Sequence, residues 1–110
     1  MQIITTPYKR CVTLKTTGRI DGSNAPELAA AFKDLTDSGT VNLAFDMSEV
    51  SFMASAGWWV LIDVQKTCKK NRGELVLTSI NPSILESLKL VGMDNYFKVF
   101  EDMTSAVGSF

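Results

Sequence analysis

The residue whose type and position could do chemistry is Ser55, in the stretch from Phe52 to Trp58. A predicted strand, Val41 to Phe45, lies upstream, and a run that is apolar at helical spacing, Trp58 to Cys68, lies downstream. Ser55 therefore falls where a helix N-cap is expected, beside backbone N–H groups that have no partner. Unpaired N–H groups and the helix dipole both favour a phosphate there. Ser55 is either a simple helix cap or the site of a switch.

A hydrolase nucleophile is a second chemistry for Ser55, because Ser-x-Gly at a strand-to-helix turn resembles the Gly-x-Ser-x-Gly motif. Met53 stands where the first glycine of that motif should be, and the chain contains no histidine. A Ser-His-acid triad therefore cannot be assembled. The nearest predicted lysine, Lys66, lies about three helical turns further along. The sequence thus predicts no catalytic residues, and we expect a protein that is not an enzyme.

The length, charge and composition of the chain indicate how many domains it forms and which classes of partner it can bind. A chain of 110 residues with a net charge of −1 is expected to form a single domain, residues 1–110, with one hydrophobic core. Nucleic-acid binding is not expected, because phosphate neutralisation needs clustered Lys and Arg. The one basic cluster, Lys66 to Arg72, is explained by its place at the end of the predicted helix. No metal spacing or cofactor motif is present, so we expect no metal and no cofactor.

The cysteines and the apolar runs indicate the compartment. Cys11 and Cys68 are isolated and resemble buried thiols of a reducing compartment, although a disulfide between them stays open at this point. The longest apolar run, Trp58 to Ile62, is far too short to cross a membrane, and no signal peptide is seen. We therefore expect a soluble, cytoplasmic protein.

The remaining elements alternate between strands and helices. Strands are predicted at Gln2 to Thr6, Cys11 to Leu14, Val41 to Phe45, Glu74 to Thr78 and Tyr96 to Phe100. Helices are predicted after Ser23-Asn24, from Trp58 to Cys68, after Asn81-Pro82 and after Asp102. The segment Thr17 to Gly22 is predicted as a break. The first helix buries Leu28, Ala31, Phe32 and Leu35, and the third buries Ile84, Leu85, Leu88 and Val91. This order predicts an α/β domain with a parallel or mixed sheet.

Three segments carry a resemblance to a known family. Gly18-Arg19-Ile20-Asp21, followed by Ala25-Pro26-Glu27-Leu28, resembles the Gly-x-Leu-Asp…Ala-Pro-x-Leu entry of STAS domains. Asp46-Met47-Ser48-x-Val50-x-Phe52-Met53-x-Ser55-x-Gly57 resembles their Asp-Leu-Ser-x-Val-x-Phe-Met-Asp-Ser-Ser-Gly signature. The closing half is similar from Gly73-Glu74-Leu75-Val76-Leu77 through Asn81-Pro82 to Leu90-Val91-Gly92-Met93-Asp94-Asn95-Tyr96-Phe97. The resemblance covers nearly the whole chain and is greatest to bacterial anti-sigma factor antagonists.

The resemblance implies a single-domain, STAS-like mixed sheet of four to five strands with about four helices. It also implies a protein-binding switch. In that family the serine matching Ser55 is phosphorylated by a serine kinase that is itself the anti-sigma factor. The unphosphorylated form binds this partner and frees the sigma factor, and a phosphatase can restore it. A monomer or weak homodimer is expected.

The predicted partner-binding surface contains Asp21 and Gly22 before the first helix, together with the start of the Ser55 helix. It is formed by Asp21, Gly22, Ser55, Ala56, Gly57, Trp58 and Trp59. Asp21 matches the family's loop aspartate. The sequence departs from the family at three places. Ala54 stands where the family usually has aspartate, and Ala56 stands where a second serine is common. The Trp58-Trp59 pair is the third departure.

The two tryptophans differ in their predicted surroundings. At 100° per residue, Trp59 shares a face with Asp63, Lys66 and Lys70, so its indole is the apolar group on a polar surface. It is either packed over a neighbour or an anchor for a partner, since tryptophan is enriched at interface hot spots. Trp58 lies on a mixed face with Leu61, Ile62 and Gln65 that could be core.

Three functions stay open from the sequence. The first is a binding module that phosphate on Ser55 turns off, by placing ~1.5–2 negative charges at the centre of the docking surface. The second is a STAS scaffold that is not phosphorylated, which the loss of aspartate at position 54 would suit. The third, a small-ligand or nucleotide-binding domain, has little support because no phosphate-binding glycine loop is present.

Overall fold

The computed structural model describes residues 1–110. The strands are β1 (Ile3–Pro7), β2 (Val12–Thr16), β3 (Gly18–Ile20), β4 (Asn42–Asp46), β5 (Val50–Met53), β6 (Glu74–Thr78) and β7 (Val99–Phe100). The helices are α1 (Ala25–Asp37), α2 (Ser55–Lys70), α3 (Pro82–Leu90) and α4 (Met103–Gly108). A five-stranded sheet has the order β1-β2-β4-β6-β7, in which β1 is antiparallel to β2 and the other neighbours are parallel. The predicted mixed sheet with about four helices is confirmed.

The two faces of this sheet carry different cores, because successive side chains of a strand point to opposite sides. Leu43 and Phe45 of β4 point into the main core, which also contains buried residues of α1, α2 and α3. Ala44 points the other way and joins Val76 and Ala106 in a small second core beneath α4. Most of the buried apolar surface therefore lies between the sheet and α1, α2 and α3.

Several predicted elements are confirmed. The strand Glu74–Thr78 has the predicted bounds, and the first two strands pair as an antiparallel hairpin. The side chains of Asn81 and Asp102 each accept a 2.8 Å hydrogen bond from a backbone N–H of the helix that follows. The last strand is only Val99–Phe100, because Tyr96 closes a turn by donating its N–H to the Met93 carbonyl.

The segment predicted as a break forms a strand instead. Gly18–Ile20 runs parallel to Val50–Met53, and the two make a separate two-stranded sheet. Neither strand has an alternating pattern, and the hydrogen bonds that stabilise each come from a segment some thirty residues away in the chain. Gly18 starts its strand with φ +95°, a conformation that favours glycine. Local sequence could not show this pairing.

One predicted core residue is exposed. Ile84 and Leu88 of α3 are buried as expected, but Val91 is 59% exposed. Val91 is the C-cap of α3, so the chain leaves the helical path there and turns at Gly92, which has φ +74°. The helical period therefore no longer places its side chain against the sheet.

Both cysteines are buried and free, so no disulfide links them. Burial raises the pKa of the Cys68 thiol to about 11 and that of Cys11 in the same direction. Burial thus favours the uncharged thiol at both positions, which agrees with the prediction of small buried apolar residues.

Gly73→Ala tests how closely the turn between α2 and β6 must approach Val41, the residue before β4. A Cβ at Gly73 would overlap the carbonyl oxygen of Val41, which is backbone and cannot rotate away. We expect the substitution to lower the free energy of unfolding by about 1–3 kcal/mol. The control is Gly108→Ala, which meets nothing within 4 Å and should leave stability equal or slightly higher. Equal urea unfolding curves for both variants would contradict the close approach.

Candidate functional site

The β3–β5 pairing brings the two parts of the predicted binding surface together. Ile20 is the register partner of Met53, and the N–H of Ala54 donates a 2.8 Å hydrogen bond to the Ile20 carbonyl. Because parallel strands end at the same edge, the residues that follow each strand are neighbours. Asp21 and Gly22 follow β3, and Ser55 follows β5, so the loop before α1 lies beside the first turn of α2.

The N-cap of α2 is Ala54, and the prediction that Ser55 is the cap is wrong. Ala54 has the extended backbone of a cap, with φ −82° and ψ 168°, but its methyl group accepts no hydrogen bond. Ser55 is the first helical residue, since β5 continues to Met53 and leaves a single residue between strand and helix. α2 spans Ser55–Lys70, so it contains the predicted apolar run Trp58 to Cys68 and ends within the basic cluster Lys66 to Arg72.

Two backbone donors at the start of α2 have no acceptor in the chain. The N–H groups of Gly57 and Trp58 both bond to the Ala54 carbonyl, whereas those of Ser55 and Ala56 make no hydrogen bond. The side chain of Ser55 is exposed, and its hydroxyl makes no hydrogen bond either. Together with the helix dipole, these free N–H groups make the first turn a favourable place for added negative charge.

Gly57 holds this first turn against the ribbon of β3 and β5. It is buried, and a Cβ there would overlap the Met53 sulfur and lie 2.8 Å from Cγ2 of Ile20. Only a residue without a side chain allows α2 to start this close to both strands. Gly57 therefore supports the predicted surface from beneath and presents no side chain on it.

The tryptophans separate as their helical positions predict. Trp58 is 6% exposed and belongs to the main core, whereas Trp59 is 62% exposed. Asp63, Lys66 and Lys70, which share the predicted face of Trp59, are exposed as well. Of the two indoles, only that of Trp59 is available for a partner.

A small cavity beside Ser55 was not predicted. Its lining consists of Ser55, Trp58, Trp59, Ile62, Val91 and Met93, and its volume is about 290 Å³. The first four residues follow the i, i+3, i+4, i+7 spacing along α2, a pattern that the sequence does contain. The other two come from the turn after α3, which sequence periodicity cannot place next to α2.

Asp21 organises the loop before α1. Its Oδ1 accepts hydrogen bonds from the hydroxyl of Ser23 at 2.6 Å and from the N–H of Ser23 at 3.0 Å. These two bonds, helped by the positive charge of Arg19, hold the pKa of the Asp21 carboxyl below its ordinary value. Asp21 thus has a turn-forming role, and Gly22 beside it is exposed.

The ribbon next to the site carries a cation–π pair. The guanidinium carbon of Arg19 lies 4.2 Å from the ring centre of Phe52, its register partner on β5. Phe52 is one of the exposed large apolar residues of the chain. The pair covers part of that ring and places a positive charge near the two loops.

Nowhere do three or more His, Cys, Asp or Glu side chains gather as metal ligands would. None of the four helices combines the length and the apolar character that crossing a bilayer requires.

A family model described as the STAS domain matches residues 2–106, nearly the whole chain. The chain belongs to the STAS domain family. The family and fold predicted from the motifs around Asp21, Ser55 and Gly73 are therefore confirmed.

Several proteins similar to this STAS domain are described as anti-sigma factor antagonists. It is 28% identical over 93 residues to BtrV of Bordetella bronchiseptica, named as a candidate anti-sigma factor antagonist; the match covers 84% of this chain and 80% of BtrV. The crystal structure of a candidate anti-sigma factor antagonist from Thermotoga maritima superposes with a TM-score of 0.93 at 18% identity, covering 97% of this chain and 92% of that one.

Bacillus SpoIIAA has the same fold in both of its solved states. Its phosphorylated form gives a TM-score of 0.78 at 14% identity and covers 98% of each chain. The unphosphorylated form, titled an anti-sigma factor antagonist, gives 0.83 at 14% identity, covering 96% of this chain and 93% of that one. At these identities the structural matches show the fold.

Ala54→Asp should supply the cap that α2 lacks. Ala54 already has a cap conformation, so a carboxylate there can accept from the free N–H groups of the first turn. We expect the free energy of unfolding to rise by about 1 kcal/mol, measured by urea denaturation. Ala54→Asn, which keeps the acceptor without the charge, should give most of the gain. No gain in either variant would mean that the first turn is already satisfied.

Asp21→Ala should lower the melting temperature at pH 7, because it removes both hydrogen bonds to Ser23. Since the pKa of Asp21 is lowered in the folded state, its stabilising effect is present above the unfolded pKa of roughly 3.9 and is lost as pH falls. The gap between wild type and variant should therefore narrow as pH falls below roughly 3.9 and through the lowered folded-state pKa. Asp21→Asn, which can still form the turn, is the control. Unchanged melting at pH 7 would contradict the turn role.

Proposed function

We propose that this STAS domain is an anti-sigma factor antagonist. It binds an anti-sigma factor through the surface formed by Asp21, Gly22 and the exposed start of α2, and the bound anti-sigma factor then releases its sigma factor. Phosphorylation of Ser55 by a serine kinase, which is the anti-sigma factor itself, turns binding off, and a phosphatase restores it. The support is the position of Ser55 together with relatives named as anti-sigma factor antagonists.

The observation that carries this proposal is the exposed, unbonded hydroxyl of Ser55 as the first residue of an uncapped helix. A kinase can reach this oxygen without unfolding the chain. The added phosphate finds free N–H groups and the positive end of the helix dipole, so the folded state tolerates it. The same charge lies at the centre of the proposed docking surface, where a partner would have to desolvate it.

The parts of the predicted surface contribute in different ways. Ser55 and Trp59 are exposed, Ala56 is half-buried beside them, and the loop with Asp21 forms the adjoining edge. Gly57 and Trp58 are buried and fix the position of the first turn. Phosphate on Ser55 therefore changes the charge of the surface while the groups that set its shape stay in place.

A second function has one observation in its favour. Ala54 stands where the family usually has aspartate, so no carboxylate precedes the phosphate acceptor in this chain. A STAS domain that binds its receptor without being phosphorylated would tolerate this loss. The first proposal requires instead that the kinase recognises Ser55 without that carboxylate.

The test is phosphorylation and binding with purified anti-sigma factor kinases from the organism that encodes this chain. With ATP, one of them should add one phosphate to wild type and none to Ser55→Ala, as measured by intact mass. Ser51→Ala, which removes another exposed serine nearby, is the matched control and should be phosphorylated normally. Calorimetric titration should show binding of the unmodified chain and much weaker binding of the phosphorylated one.

The outcomes separate the two functions. Phosphate retained in Ser55→Ala would contradict the assignment of the site. Binding of a partner without phosphorylation by any kinase would favour the scaffold function. Ser55→Asp should change the free energy of unfolding by no more than ~1 kcal/mol, since an acid at the first turn of a helix is favourable.

A further inference from the structure

The cavity beside Ser55 has a nearly apolar lining. Two turns of α2 supply Ser55, Trp58, Trp59 and Ile62, and the turn after α3 supplies Val91 and Met93. Ser55 is the one polar residue among them, and none of the six carries a charge. A charged occupant would lose its hydration without gaining a counter-ion, so the lining selects a neutral, apolar group.

The size of the cavity favours one side chain over a small-molecule ligand. Its volume of about 290 Å³ is at the lower limit of the range, roughly 300–1,000 Å³, in which ligand pockets usually fall. Two of the lining residues are also exposed apolar side chains, Trp59 at 62% and Val91 at 59%, and Leu90, next to Val91 in the chain, is 80% exposed. These are the three most exposed large apolar residues of the chain, and exposed apolar side chains beside a cavity suit a protein partner.

We infer that this cavity receives one aliphatic or aromatic side chain of the anti-sigma partner, and that phosphate on Ser55 prevents its entry. This inference rests on the proposed function. Ser55 is both the phosphate acceptor and part of the lining, so the docking surface and the cavity are continuous. The phosphate would stand at the cavity's edge, where an apolar side chain could enter only by displacing the water around a dianion.

In this mechanism, phosphate prevents binding because it occupies space at the cavity and because its water shell would have to be removed. Repulsion between distant charges is not required. The two mechanisms differ in their response to salt. Repulsion across a solvated interface weakens as the Debye length falls from roughly 10 Å at 0.1 M to 3 Å at 1 M salt. Exclusion of an apolar side chain from a site that carries phosphate does not depend on that length.

The chain carries its own probe of the cavity. Its only two tryptophans, Trp58 and Trp59, both line it. Titration with the purified anti-sigma factor kinase should shift the tryptophan emission to shorter wavelength, because the exposed Trp59 loses water contact. Where the partner has tryptophans of its own, this chain is labelled with 5-fluorotryptophan instead. The ¹⁹F NMR signals of Trp58 and Trp59 then report on the cavity without any contribution from the partner.

Affinity measurements on surface variants test the inference. Val91→Ser and Trp59→Ala should each weaken binding of that kinase by about tenfold or more, the size expected for hot-spot residues. Both side chains are exposed, so the variants should melt close to wild type. The matched control is Ile4→Ser, which removes an exposed aliphatic side chain from β1 at the sheet edge and should bind normally. The affinity ratio of unmodified to phosphorylated chain should stay constant between about 0.1 M and 1 M salt.

The failures are distinguishable. If the wild type binds and is switched by Ser55 while Val91→Ser and Trp59→Ala bind normally, the cavity inference is wrong and the proposed function stands. If the affinity ratio of unmodified to phosphorylated chain falls toward one in high salt, charge repulsion rather than exclusion from the cavity explains the switch. A wild-type dimer in sedimentation that Trp59→Ala converts to monomer would mean that a second copy occupies the cavity. If no anti-sigma factor kinase binds the wild type, the proposed function itself fails.

Discussion

The arrangement of the site depends on the contact of the first turn of α2 with the short ribbon of β3 and β5. The Ala54 N–H bonds to the Ile20 carbonyl, and buried Gly57 lets the helix start against Ile20 and Met53. These contacts join two segments that are more than thirty residues apart in the chain. Without them, the Asp21 loop and Ser55 would have no fixed relation to each other, and no common surface would exist.

Buried neighbours determine how the exposed residues are presented. Trp58 packs into the main core and thereby sets the rotation of α2, which turns Trp59 outward and leaves Ser55 at the surface. The long helix is held further along by Gln65, whose fully buried amide bonds to the backbone of Leu75 and Tyr96. A buried side-chain amide with its donors and acceptor satisfied resists rotation of the helix, because any turn would break these bonds in a place that water does not reach.

Local patterns predicted the elements whose stability is local or whose periodicity is strong. The strand Glu74–Thr78, the caps at Asn81 and Asp102 and the opposite surroundings of the two tryptophans all followed from such patterns. β3 and β5 could not be predicted in this way, since each is short and stabilised by the other. The cap of α2 was misplaced by one residue for the same reason, because only the end of β5 at Met53 fixes where the helix can begin. Val91 and Met93 became part of the site through a turn that no period describes.

The free backbone N–H groups at the start of α2 also bear on how fast modification of Ser55 could take effect. Since the first turn already offers donors to a phosphate and its shape is set by buried groups, modification of Ser55 needs no strand to separate and no helix to refold. A switch built on such a rigid frame has no slow structural step of its own. Under the proposed function, the response time would be determined by the turnover of the kinase and phosphatase and by dissociation of the partner. The cell would then set that time through enzyme abundance, while the sequence of the domain stays unchanged.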